Sequence, residues 1–206
     1  NFIQQFQSMN GFDARLWEIY LFCFFREESF SFKRNSHSPD FSVSKLGHEL
    51  AIEAVILSNK EKEINKIKLR DFTPKSLDEI KKKLENEIPI RFGSALFDKM
   101  KKKYWEKDHV KGKPFLIAIA DFHETMSMTW SFQGLLEYLY GFKYDHYHDT
   151  NGKLIITPIK IHEFEKETGA KVPAGFFFLP ASENVSAIIT SSTATISKFN
   201  RTGKQA

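Results

Sequence analysis

The sequence predicts a mixed α/β fold in which helices flank a central mixed β-sheet. Three observations carry this expectation. Phe12 to Arg26 is an almost wholly apolar helical run, Pro39 to Leu57 has a strand–turn–strand pattern, and Phe115 to Ala120 is a continuous apolar stretch. An uninterrupted run of that length marks a strand covered on both faces. Helix, strand, hairpin, helices and buried strand in that order form sheet-and-helix layers.

Phe12 to Arg26 is apolar nearly all round, which predicts a mostly buried helix. Phe30 to Lys33 alternates like a strand. Pro39 to Ser44 and Glu49 to Leu57 read as two further strands, and Lys45-Leu46-Gly47-His48 between them has the length and glycine of a tight turn. Lysine-rich Lys60 to Arg70 reads as an exposed connection. Ser76-Leu77-Asp78-Glu79 is a capping box that opens a surface helix with Leu77, Ile80 and Leu84 as its buried stripe. Gly93-Ser94 opens another helix reaching about Trp105, with Leu96, Met100 and Tyr104 inward and Lys101 to Lys103 in solvent. Lys99 lies about one-sixth of a turn off that stripe and so borders the buried face.

Phe132 to Tyr140 predicts a helix stopped by Gly141. The remainder is expected to hold an aromatic, polar loop over Tyr144 to Asn151 and an apolar segment at Leu154 to Ile156. A buried strand at Phe176 to Leu179 follows, and Val185 to Ile189 with Ala194 to Lys198 would form a final hairpin. Repeats, coiled-coil heptads and low-complexity tracts are absent.

The length of 206 residues fits one domain, or one domain with an appendage, able to bury a real core. Thirty basic against 26 acidic residues leave a net charge of +4, which permits an anionic partner without demanding one. The single cysteine, Cys23, rules out an internal disulfide framework and points to the cytoplasm; in its apolar helix it reads as packing. Leu16 to Phe25 is the most apolar run, yet it contains Glu18 and is far too short to span a bilayer, so no membrane partner is expected. The chain starts at Asn1 without methionine and reads as trimmed or as part of a longer protein. A homodimer is left open.

The hairpin brings two acids together. With Leu46-Gly47 as a two-residue loop, Lys45 faces His48, Ser44 faces Glu49 and Asp40 faces Glu53. Opposed residues share a sheet face with Cβ atoms about 4.5–5.5 Å apart. Two such carboxylates suit one small divalent cation, whose oxygen ligands lie at about 2.0–2.1 Å for magnesium. A bulged turn would shift the register and leave two unrelated surface acids instead. Glu18 is the only carboxylate in its apolar run, so its helix aims it inward or at a cleft; the alternative is a structural pair with Arg15 one turn earlier.

Other features carry less. His146 and His148 flank Tyr147 and would clasp zinc only with a further ligand, so they read as polar loop. Asp121-Phe122-His123 at a strand end either enters a site or caps the next loop. Cys23, Ser127 and the histidines lack a local nucleophile pattern, and a Gly-rich phosphate loop is missing. Covalent hydrolysis and triphosphatase chemistry are therefore disfavoured.

Glu18 on the first helix, Pro39-Asp40 opening a strand and Glu53 on the next strand resemble, in order and spacing, the PD-(D/E)XK nucleases. Arg15-Leu16-Trp17-Glu18, Ser38-Pro39-Asp40-Phe41, Ile52-Glu53-Ala54-Val55, Arg91-Phe92-Gly93-Ser94-Ala95-Leu96 and Lys113-Pro114-Phe115 through Asp121-Phe122 are also similar to a bacterial protein family with no settled function. The resemblance implies a restriction-endonuclease-like core over residues 12–122, with 123–206 as a C-terminal α/β extension packed on it in a single domain. It further implies hydrolysis of phosphodiester bonds in nucleic acid, DNA rather than RNA, with Mg2+ or Mn2+. Asp40 and Glu53, with the Ala54 carbonyl, would hold the ion, and Glu18 would bind a second one or position a water. Arg91 and Ser94 near a helix N-terminus would contact phosphate.

One position departs from the pattern. The superfamily places lysine two residues after the second acid, and Val55 stands there, on the same face as Glu53. Either the site is dead, leaving a module that binds nucleic acid or a protein, or a lysine enters from elsewhere. Lys99 is the expected substitute, its amine turned to the Asp40–Glu53 pair while those of Lys101 and Lys102 face solvent. Its replacement by methionine is expected to leave stability little changed.

Overall fold

A computed structural model describes residues 2–8, 11–33, 38–58, 76–124 and 126–202. The Lys60 to Arg70 connection lies outside the described residues. In chain order the helices are α1 Phe2–Phe6, α2 Phe12–Glu27, α3 Leu77–Glu85, α4 Glu87–Met100, α5 Ser127–Trp130, α6 Phe132–Tyr140 and α7 Ile196–Thr202. The strands are β1 Ser31–Phe32, β2 Phe41–Lys45, β3 His48–Ser58, β4 Phe115–Phe122, β5 Phe142–His148, β6 Leu154–Lys160, β7 Glu163–Glu165, β8 Lys171–Pro173 and β9 Ala187–Thr190. The chain divides into two compact units, one drawn from Asn1–Pro74, Asp98–Thr129 and Asn184–Ala206, the other from Lys75–Phe97 and Trp130–Glu183.

The first unit holds a five-stranded mixed sheet in the order β1-β2-β3-β4-β9. β1, β2 and β3 run antiparallel, whereas β3, β4 and β9 run parallel. The turn between β2 and β3 has the expected two-residue form: Leu46 and Gly47 both take left-handed φ, 52° and 80°. That is the backbone whose twist matches a hairpin. Lys45 therefore pairs with His48, Ser44 with Glu49 and Phe41 with Ile52. β4 is buried along nearly its whole length, as its unbroken apolar run requires.

α2 lies on one face of this sheet. Trp17, Leu21 and Phe25 pack with Val43, Ile52, Ala54, Ala118 and Ala120 in one core, and the Trp17 indole N–H donates to the Ala118 carbonyl at 3.0 Å. The small alanines of β3 and β4 leave room for the large rings of the helix. α2 is not buried all round as its composition suggests: Phe22 and Phe24 are 44% and 42% exposed. A helix resting on a sheet can bury only the stripe that faces it.

The second unit carries α3, most of α4, α6 and two hairpins, β5–β6 and β7–β8. The capping box at Ser76 and Glu79 forms with both reciprocal bonds. Leu77, expected inward, is 75% exposed, because α3 turns in only through Ile80 and Leu84, both half-buried. α4 starts at Glu87, six residues before the glycine expected to open it. Pro89 falls in its first turn, where a backbone N–H has no helical acceptor to lose. Gly93 is instead a packing residue inside α4, where an added Cβ would stand 2.6 Å from the Tyr138 ring. The helix also ends at Met100, so Tyr104 and Trp105 belong to a separate 3₁₀ turn. Gly141 ends α6 in the left-handed conformation, as expected.

Three expectations in the C-terminal third are corrected. Tyr144 to Asn151 is largely strand, because β5 pairs with β6 from Phe142–Lys160 to His148–Leu154. Both faces of that hairpin are exposed, so it lacks the apolar alternation that reveals a strand. Phe176–Phe178 is a 3₁₀ turn rather than a buried strand, with Phe178 76% exposed. The final hairpin is absent: β9 adds parallel to the free edge of β4, and α7 follows. Parallel pairing joins segments distant in sequence, which no local pattern reports.

Candidate active site

β2 begins at Phe41, and Asp40 stands one residue before its first ladder pair, at the position that continues the register opposite Glu53. The Ala54 N–H, past the end of that ladder, donates to Asp40 Oδ2 at 2.8 Å. This bond draws the Asp40 side chain onto β3. Asp40, Glu53, Glu18, Arg15, Val55 and Lys99 line one cleft of about 290 Å³. Glu18 and Arg15 reach it from α2, and Lys99 from the last turn of α4.

The basic residues are already engaged. Lys99 Nζ donates to Glu53 Oε1 at 2.6 Å, the orientation expected of it. Lys101 pairs at 3.5 Å with Asp98 on the exposed side, while Lys102, expected in solvent, places its amine 5.9 Å from the centre of the Tyr104 ring. Arg15 forms an ion pair with Glu18. The structural alternative for Glu18 and its place in the cleft are thus both realised.

Sequence reasoning missed Tyr104. Its hydroxyl donates to the same Glu53 oxygen at 2.6 Å, and the ring is buried against Phe115. It also missed the residues that hold the Asp40 loop: Lys107 bonds the Ser38 hydroxyl, and His109 Nε2 meets the Ser38 carbonyl at 2.8 Å. Only the crowding of polar and aromatic residues after Lys99 signals these contacts, and it names no partner.

Burial first, and like charge after it, shifts the acids. Burial, opposed by Arg15 and reinforced by Asp40 and Glu53, pushes the Glu18 carboxyl up to about 7. Burial and Glu53 also raise Asp40, against the Ala54 N–H and the two cations. Tyr104 is raised as well, by burial and by its bond to Glu53.

Asp40 and Glu53 are the residues of this cleft that could hold a cation. Glu53 is only 5% exposed, and its Oε2 is buried with no hydrogen-bond partner. An orphaned carboxylate oxygen beside a second carboxylate is costly until a cation or donor meets it. Among the described residues, no three His, Cys, Asp or Glu side chains stand in a metal-ligating group. A donor set limited to Asp40 and Glu53 suits magnesium, which keeps most of its waters and takes one or two carboxylates.

Arg91 and Ser94 belong to the second unit. α4 begins at Glu87, so both lie inside the helix rather than at its N-terminus, and Arg91 bonds Glu87 at 3.0 Å. Asp121 and His123 are buried and bonded to each other, through Nδ1 at 2.6 Å and the His123 N–H at 3.0 Å, which is the capping alternative. His146 and His148 project from exposed β5. Cys23 is half-buried, and burial with Glu27 nearby pushes its thiol up.

No family model, curated protein or solved structure matches the chain.

Proposed function

We propose that this protein is a metal-dependent nuclease with a restriction-endonuclease-like core of the PD-(D/E)XK kind, hydrolysing phosphodiester bonds in DNA rather than RNA. The observation that carries the reading is the Lys99 amine, seated on Glu53 in the cleft that Asp40 also lines. It supplies from α4 the positive charge that Val55 withholds from β3.

Asp40 and Glu53 would hold Mg2+ or Mn2+, with Glu53 contributing its unpartnered Oε2. The bound cation supplies positive charge that polarises the phosphate and makes a nearby water more acidic. Lys99 offsets the negative charge that develops as the water attacks. Glu18, which reaches the cleft from α2, would orient that water or help hold a second cation. Asp40 also borders a larger hollow of about 840 Å³, walled by Phe22, Phe32, Arg26 and Lys33. Cations and rings together suit a chain of phosphates and bases.

The rival reading is a module that binds nucleic acid or protein without cleaving it. Val55 favours it, because an apolar side chain lines the cleft where the pattern puts lysine. Nuclease assays with Mg2+ and Mn2+ on DNA and RNA, comparing the wild type with Asp40→Ala, separate the two. Cleavage by the wild type and at least a hundredfold loss in Asp40→Ala is expected. Equal activity in both, or none on any substrate, selects the binding module.

A further inference from the structure

We propose that Tyr104 is a positioning residue that selects which oxygen of Glu53 meets the cation, an inference resting on the nuclease reading above. Glu53 is buried and has two oxygens with opposite fates. Oε1 accepts both the Lys99 amine and the Tyr104 hydroxyl, each at 2.6 Å. Oε2 accepts nothing. A carboxylate held by two donors on one oxygen cannot rotate freely, so its other oxygen is presented in one direction.

The tyrosine is itself anchored. Its ring stacks on Phe115 of β4, with centroids 5.5 Å apart, and the Lys107 amine sits 4.9 Å from the ring centre. Lys107 and His109 of the same segment bond Ser38, two residues before Asp40. Residues 99–109 therefore grip both acids, Glu53 directly and Asp40 through its loop. Left-handed φ at Lys103, 45°, breaks α4 from the 3₁₀ turn and turns Tyr104 to the sheet instead of continuing the helical stripe.

Tyr104→Phe tests this, because it removes the hydroxyl and keeps the ring. Lys99 still occupies Oε1, so no second orphan oxygen is created. Mn2+ binding is measured by calorimetric titration of wild type, Tyr104→Phe, Glu53→Gln and Phe115→Leu, with melting temperatures alongside. The expected result is roughly tenfold weaker Mn2+ binding in Tyr104→Phe, the low end for residues that orient a ligand from behind. Its melting temperature should fall by a few degrees at most, because Lys99 still holds Oε1, and Glu53→Gln should lose binding. Phe115→Leu, which loosens the stack that seats the hydroxyl without touching Oε1, should weaken Mn2+ binding by less than Tyr104→Phe does. Binding in Tyr104→Phe equal to or tighter than that of the wild type overturns the role of the hydroxyl, as does a larger loss in Phe115→Leu than in Tyr104→Phe, and either leaves the nuclease reading standing. Absence of Mn2+ binding in the wild type overturns both.

Discussion

A lysine amine on a buried carboxylate changes what removing that lysine costs. The Lys99 and Glu53 side chains are only 17% and 6% exposed, so Lys99→Met strips a partner from a charge that cannot reach water. The sequence alone suggested little effect on stability; the ion pair argues for a loss on the order of 1–3 kcal/mol. Urea unfolding of the metal-free protein measures it. Cleavage by Lys99→Met should also vanish in buffer without denaturant, where the variant is still folded. If cleavage survives while Asp40→Ala abolishes it, Lys99 has no chemical part. The direction of the Lys99 amine was legible because stripe-edge geometry is local. The contacts of Tyr104 were not legible because α4 stops at Met100 and a left-handed Lys103 redirects the chain before Tyr104, whereas sequence periodicity assumes that the helix continues.

At the scale of the element, the β2–β3 hairpin decides whether two acids form a site. Its register was legible because a two-residue loop and a period of two leave one pairing, whose continuation past Phe41–Ile52 sets Asp40 opposite Glu53. The turn achieves this with an unfavourable residue. Leu46 is 90% exposed and holds φ at 52°, a conformation that costs a non-glycine residue roughly 1–2 kcal/mol. Asparagine tolerates that backbone and makes the preferred Asn-Gly turn, so Leu46→Asn should raise stability by about 0.5–1 kcal/mol. Gly47→Ala, at φ 80° with open space around it, should lower stability by about 1 kcal/mol through backbone strain alone. Urea midpoints decide both, and a destabilised Leu46→Asn would mean that this turn is not the strained element. β5–β6 and β9 show the other side of legibility. One is exposed on both faces and the other pairs in parallel across a long separation, so neither leaves a local periodic trace.

For the whole molecule, the acids that make the cleft work against folding when no cation is bound. Glu18 titrates near 4.5 when unfolded and is pushed up to about 7 when folded. Between those values the folded protein binds more protons than the unfolded chain, so its stability falls as pH rises through the window and levels off above it. A shift of that size corresponds to about 3 kcal/mol at about 1.4 kcal/mol per pH unit, and on the order of 2 once the open side of the cleft is allowed for. Asp40 moves in the same direction. Metal-free protein in EDTA should therefore unfold at lower urea at pH 8 than at pH 5, the reverse of ordinary acid denaturation. Glu18→Gln carries no charge to desolvate, so it should be more stable than the wild type at pH 8 and equal to it at pH 4.5. Mn2+ added at pH 8 should restore the wild type and do little for Asp40→Ala, because a ligand stabilises only the fold that binds it. A wild type and Glu18→Gln that differ by the same amount at both pH values would show that Glu18 is not destabilised by its surroundings. The cost of crowding acids would then have to be carried by Asp40 and Glu53 alone.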